Sequence, residues 1–312
     1  MKKKIFIISG IFLLAVVAVL AVVFITRDDK TSDISIDIND TLPDGNGKKA
    51  TVILLGGQSN ASGCSFDEYL KKNVSKEKYA EYESGFDNVY INYHVTDSNV
   101  SGGFVKCAVR QGELGERFGP ELGLAEKLHE HYPEKTFFII KCAWGGSNLF
   151  RQWRSPSSMG KTGEMYAYFD AFVKTSLQYL DSKNYDVEIA GMCWMQGESD
   201  SVSKESAKDY AKNLKKFIKD VRKSFEEYAP GGGIAFVDAY IADNPSLWTY
   251  CDVVNEKKRE VAELSSINTV VDTGSLVCSE EPENEPDIPH YDSMSEIKLG
   301  HLFAEQIMKF IG

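Results

Sequence analysis

Two segments at opposite ends of the chain carry residues that could together attack an acyl carbon. The stretch "GGQSN" (Gly56–Asn60) presents Ser59 just after a pair of glycines, and "DIPHYD" places Asp287 three residues before His290. A serine hydroxyl is a weak nucleophile until a base removes its proton. Imidazole titrates in the useful range for that task. A carboxylate fixes the imidazole tautomer and stabilises the imidazolium that forms. A D-x-x-H spacing on one tight turn lets both side chains point the same way, and the chain order is then Ser, Asp, His.

Each assignment has a rival. Ser59 could simply cap a helix, and Ala61 stands where a G-x-S-x-G elbow requires its last glycine. There are only five histidines, so the candidates for a base are few. His129 and His131 lie at a charged helix end, where solvation explains them, and His301 falls inside the last helix. His94 ends a strand and is the one rival to His290. Asp292 is a rival to Asp287, but two residues from His290 it is geometrically poorer. Two further segments offer proton donors for a developing oxyanion. "WGGSN" (Trp144–Asn148) offers a glycine N–H, at Gly145 or Gly146, and "QGESD" (Gln196–Asp200) offers the Gln196 amide.

The elements that must position these segments alternate. Apolar runs with the character of strands buried on both faces cover Thr51–Leu55, Lys135–Ala143 and Val187–Met195. Asn88–Tyr93, Gly233–Tyr240 and Asn268–Val271 read as further strands. Helical spacing marks Pro120–Glu130, Tyr166–Leu180, Lys204–Tyr228, Val253–Leu264 and Ser293–Phe310. Strands alternating with helices imply α/β architecture, a mostly parallel sheet with helices on both faces. In such sheets ligands sit beyond the carboxyl ends of the strands. Three strand ends followed by Gly-plus-polar segments therefore mark one candidate site.

The N-terminus differs from the rest. Lys2, Lys3 and Lys4 precede an uncharged apolar run, Ile5–Ile25, about the length that spans a bilayer core. Residues 1–27 read as an uncleaved membrane anchor, with a cleaved signal peptide as the alternative. Residues 28–49 read as a polar linker, and residues 50–312 as one domain outside the cytoplasm. Net charge of −11 argues against nucleic acid as a partner. The six cysteines form no C-x-x-C pair, which weakens any zinc reading. Cys142 and Cys193 fall in buried strands, whereas Cys251 and Cys278 lie in less regular segments where a bridge could form.

With these motifs assembled, the sequence resembles the SGNH hydrolase superfamily, and within it the sialate O-acetylesterase-like branch and carbohydrate esterase family 6, the acetylxylan esterase-like enzymes. The resemblance is carried by "GGQSNASG", "RFGPELGLAEKL", "AWGGSNLFRQW", "WMQGESD" and "DIPHYDSMSEIKLGHLFAE", which span most of the chain from Thr51 onward. It implies a three-layer α/β/α, flavodoxin-like fold and a serine esterase that removes O-acetyl groups from carbohydrate (sialic acid, xylan or a related glycan) through an acetyl-enzyme. It implies Ser59 as nucleophile, His290 as base and Asp287 as its orienter. The oxyanion hole would use the Ser59 N–H, the Gly146 N–H and the Gln196 side chain, which replaces the superfamily's usual third-block asparagine. Substrate contacts would come from Gln58, Asn60, Trp144, Ser147, Arg151 and Glu198, with Trp144 and Trp153 flanking the glycine block as stacking candidates. No metal or organic cofactor is needed. The partners expected are an acetylated carbohydrate and, through the N-terminal segment, a membrane. Two competing readings are a surface carbohydrate-binding protein without turnover and a lipid-type esterase of the same superfamily.

Overall fold

The computed structural model describes residues 34–96 and 99–312. The apolar run expected to be an anchor lies outside the described residues. Among the described residues no helix is long and apolar enough to cross a membrane.

Six parallel strands form the frame: β1 (Lys49–Gly57), β2 (Val89–Thr96), β3 (Thr136–Ala143), β4 (Asp186–Met195), β5 (Ala235–Ala239) and β6 (Asn268–Val271). Their order across the sheet is β6-β5-β4-β1-β3-β2, and beyond β2 the short strand Asn99–Val100 adds on antiparallel. Every residue of β1 after Lys49 is buried, as expected of a central strand covered on both faces. β1 lies between β3 and β4, so the chain must cross over it in passing from one to the other. This is the switch point at which open α/β sheets leave a crevice.

Helices α1 (Ser59–Ser62), α2 (Asp67–Asn73), α3 (Lys76–Ser84), α4 (Glu121–His131), α5 (Glu164–Ser182), α6 (Glu198–Ser201), α7 (Lys204–Ser224), α8 (Cys251–Ala262) and α9 (Ser293–Ile307) complete the chain. Successive side chains of a strand point to opposite faces. On one face Trp194 of β4 meets Phe217 of α7, which also contacts Phe169 of α5. On the other, Gly191 of β4 leaves room for Ile307 of α9, where a Cβ would fall 2.7 Å from its Cδ1. On this second face α9 also packs against α4, where His301 bonds Glu126 at 2.6 Å. That packing returns the far end of the chain to the first strand's neighbourhood. A small antiparallel ribbon, Ser65–Phe66 with Arg117–Phe118, sits beside it.

Two expectations need correction, and one omission is filled. The linker expected over residues 28–49 is docked along its last part: Leu42 is buried, Asp40 pairs with Lys183 at 2.7 Å, and Gly45 and Gly47 donate to the Lys183 and Asn184 carbonyls. A Cys251–Cys278 bridge does not form; all six cysteines are free, and Cys251 Sγ donates to Asp243 Oδ1 at 3.5 Å. Helices α2 and α3 were not foreseen. Cys142 and Cys193 are buried in β3 and β4 as anticipated, and burial pushes both thiols up, away from reactivity.

Candidate active site

The ends of β1, β3 and β4 lie in register: Gly57 stands opposite Ala143 on one side and Met195 on the other. The three Gly-plus-polar segments therefore emerge side by side. Gly57 has φ +142°, and a Cβ there would lie 1.9 Å from the Met195 carbonyl oxygen, so only glycine permits the turn. The turn feeds α1, and Ser59 opens it with 9% of its surface exposed. In the glycine block, Gly146 has φ +67°, is exposed, and has nothing within 4 Å of where a Cβ would sit. Among the described residues, the N–H groups of Ser59, Gly145 and Gly146 have no hydrogen-bond partner.

Behind this mouth lies a buried polar network. Gln196 is fully buried, and its Nε2 reaches Asp200 Oδ2 at 2.7 Å, the Ser147 carbonyl at 3.2 Å and Gln58 Oε1 at 3.2 Å. The Tyr210 hydroxyl donates to Gln196 Oε1 at 3.0 Å. Asp200 also accepts from the N–H groups of Leu149 and Phe150, at 2.7 and 3.0 Å. Burial pushes its carboxyl up to about 6 against the pull of these donors. Gln58 Oε1 accepts from the Ser199 N–H at 3.1 Å. Ser147 is fully buried; its hydroxyl donates to the Trp144 carbonyl and accepts from Trp153 Nε1, both at 2.7 Å.

The network corrects several assignments. An amide has two N–H donors, and those of Gln196 are spent on internal acceptors, so it positions the glycine block rather than facing an oxyanion. Gln58 and Ser147 likewise face the protein and not a substrate. Asn60 is buried, donating to Glu198 Oε1 at 3.1 Å and accepting from the Tyr291 N–H at 3.2 Å. Glu198 is buried too, and burial raises its carboxyl against its hydrogen bonds. Trp153 is core. Trp144 is half-buried, with its ring 5.6 Å from Trp153, 5.5 Å from His94 and 5.4 Å from Tyr168. Arg151 is exposed beside a cleft of about 260 Å³ lined by Asn148, Phe150, Ser199 and Val202.

The candidate acid–base pair sits on the loop before α9. His290 Nδ1 and Asp287 Oδ1 are 2.8 Å apart, and the His290 N–H closes the turn onto the Asp287 carbonyl at 3.0 Å. Burial would raise the Asp287 carboxyl, but His290 and Arg117 together hold it below the usual carboxylate range. Asp292 is no rival: it caps α9, accepting from the Ser295 N–H at 2.6 Å. Nor is His94, which packs among Trp144, Tyr168 and Phe172 with Nδ1 2.8 Å from the Tyr168 hydroxyl. His129 bonds Asn88 Oδ1 at 2.6 Å rather than being merely solvated.

Among the described residues no hydrogen bond joins Ser59 Oγ directly to His290. Two other bonds bring their segments together. Tyr291, next after His290, donates its N–H to Asn60, next after Ser59. Ser65 Oγ donates to the Tyr291 carbonyl at 2.8 Å. Two residues near this mouth went unassigned in the sequence. Glu113 accepts from Ser62 Oγ at 2.5 Å, and a Cβ on Gly145 would lie 2.8 Å from its Oε1. Arg117 donates from Nη1 to Asp287 Oδ2 at 2.8 Å. The only early signal for either was the charged, glycine-punctuated run "GELGERFG" ahead of α4.

A family model described as "Carbohydrate esterase, sialic acid-specific acetylesterase" matches residues 49–309. No match was found among curated proteins. Among solved structures, a protein of Arabidopsis thaliana is similar at 17% identity and a TM-score of 0.61, over 84% of this chain and 99% of that one. NanS matches at 13% identity and a TM-score of 0.61, over 85% and 98%. XAC1771, a carbohydrate acetylesterase from Xanthomonas citri, matches at 15% identity and a TM-score of 0.58, over 83% of this chain and 56% of that one. At such identities the likeness is one of fold.

Proposed function

This chain belongs to the sialic acid-specific acetylesterase family of carbohydrate esterases and is a carbohydrate O-acetylesterase, and from that premise we propose that it works by a Ser59–His290–Asp287 mechanism through an acetyl-enzyme. Ser59 Oγ attacks the acetyl carbonyl while His290 Nε2 takes its proton. The oxyanion rests on the free N–H groups of Ser59 and Gly146, each worth on the order of 3 kcal/mol in such holes. Collapse of the tetrahedral species breaks the bond to the sugar oxygen, which leaves with the proton from His290. Water, deprotonated by the same imidazole, then attacks the acetyl-enzyme and releases acetate. Asp287 holds His290 Nδ1–H throughout.

The observation that carries this reading is the Tyr291-to-Asn60 bond, which anchors the carboxylate-bound imidazole one residue from the segment that begins with Ser59. Catalytic hydrogen bonds are often long in unliganded sites and tighten when substrate binds. The leaving alcohol is a sugar hydroxyl, with acetylated sialic acid first among the candidates by the family's description. Arg151 supports that order, as an exposed guanidinium suited to a carboxylate. The charge pattern around Ile5–Ile25 places the domain outside the cytoplasm in this reading.

Ser59→Ala is expected to lower 4-nitrophenyl acetate hydrolysis by at least about 10³-fold with an unchanged circular dichroism spectrum. Activity retained in that variant removes Ser59 from its role. Acetate release across acetylated sialic acid, xylan and other glycans fixes the substrate.

A further inference from the structure

Arg117 occupies a place that the acyl-transfer reading does not use. Its Nη1 donates to the Cys64 carbonyl at 2.7 Å and to Asp287 Oδ2 at 2.8 Å. The guanidinium lies 4.1 Å above the Phe66 ring. Cys64 and Phe66 belong to the segment leaving α1, and Phe66 pairs with Arg117 in the short ribbon. One nitrogen thus spans the segment that carries the nucleophile and the carboxylate that orients the base. We propose that Arg117 is a positioning residue that sets the Asp287–His290 pair against Ser59, holding Asp287 by its outer oxygen so that the inner one faces His290 Nδ1.

The inference rests on the acyl-transfer reading of the site. It follows from what this geometry can and cannot supply. Arg117 and Asp287 are 19% and 21% exposed, and a pair open to solvent at its edge is partly screened, so its contribution to stability is modest. Rate is different: a small displacement of a reacting group is costly even when the fold is intact. The planar guanidinium matters, because it lies flat over the Phe66 ring while its Nη1 meets both acceptors, and a lysine ammonium can donate to both oxygens but cannot stack. The charge matters separately. It opposes proton uptake by the pair, so its removal lets the imidazole protonate more readily and moves the acid limb of kcat/KM to higher pH. The other ionisable groups facing the pair are Glu198 of α6, toward His290, and the Cys64 thiol, toward Asp287. Neither changes in the variants below.

The test compares Arg117→Met, Arg117→Lys and Ser59→Ala in the full chain, with 4-nitrophenyl acetate. Arg117→Met is expected to lose about 10- to 100-fold in kcat with KM held within about twofold, and to show the upward-shifted acid limb. Its Tm stays within about 3 °C of wild type. Arg117→Lys restores the position of the acid limb but not kcat. Wild-type kcat and acid limb in Arg117→Met, beside an inactive Ser59→Ala, overturn the inference and leave the serine mechanism standing. An active Ser59→Ala overturns the mechanism itself. Should Arg117→Met fail to fold, Arg117→Lys decides: wild-type kcat there overturns the positioning role of the stacked guanidinium.

Discussion

The two halves of the site are held in opposite ways. On the strand-end side, Gln58, Ser147, Gln196 and Asp200 are at most 3% exposed, and each is bonded to another or to buried backbone. On the loop side, the His290 and Asp287 side chains are 20% and 21% exposed and rest on a few contacts, chiefly Arg117 and the bonds of Tyr291. A buried network cannot lose one member without stranding another's donor or acceptor. It therefore fixes where Ser59 and the glycine N–H stand, at the cost of tolerance to change. The loop pair meets solvent, where a proton can be exchanged and an alcohol can leave. Damage to the first half should appear as lost stability, and damage to the second as lost rate.

Asp287→Asn is the strongest attempt to break that contrast. It keeps the shape but removes the charge that fixes the His290 tautomer, and a fall of about 10³–10⁴-fold in kcat is expected. The Tm should fall by less than in the strand-end variant below, because the charge lost is only partly buried and solvent screens part of its contribution. A large fall in Tm would make the loop as structural as the strand ends. Asp200→Ala tests the other half. It strips the acceptor from the buried Leu149 N–H and Gln196 Nε2 and from the half-buried Phe150 N–H. The loss is expected at about 4 kcal/mol, read as a Tm lower by roughly 10 °C. An unchanged Tm would show that the network is not what holds the glycine block.

How much of this was visible in the sequence follows the same division. β1, β3 and β4 were legible because unbroken apolar runs mark strands covered on both faces, and their Gly-plus-polar ends marked the mouth. Asp287 and His290 were legible because three residues on a turn is local information. The orientation of Gln196 was not. One residue past a strand end, a polar side chain can face substrate or core, and the choice was made by Asp200, Tyr210 and Gln58. Arg117 was hidden for a related reason: its two acceptors lie 53 and 170 residues away. Helices α2 and α3 escaped notice because "DEYLKKN" and "KEKYAEYES" bury only Asp67, Leu70, Tyr79 and Tyr82, too few anchors to show a period.

The mildest test concerns what lies behind the loop. Helix α9 follows the Asp287–His290 turn and is tied to α4 by Glu126, which accepts from His301 Nε2 at 2.6 Å, Lys78 Nζ at 2.8 Å and the Tyr82 hydroxyl at 2.9 Å. Burial would raise this carboxyl, but the three donors outweigh it and hold it down to about 2, against an ordinary 4.5. A carboxyl whose folded value lies below its unfolded value adds stability above the unfolded value and loses it as pH falls toward the folded one. Glu126 thus adds stability at neutral pH, at most about 3 kcal/mol and less once solvent screening is counted, that is lost between about pH 4.5 and 2. Glu126→Gln should lower Tm at pH 7 and flatten the acid-denaturation curve across that window, so that variant and wild type converge near pH 2. Because Glu126 shares no partner with Asp287 or His290, kcat at pH 7 should stay within about threefold of wild type. A loss of rate on the scale of Asp287→Asn would mean that the loop borrows its geometry from α9, and that its short list of contacts at the mouth does not hold it alone.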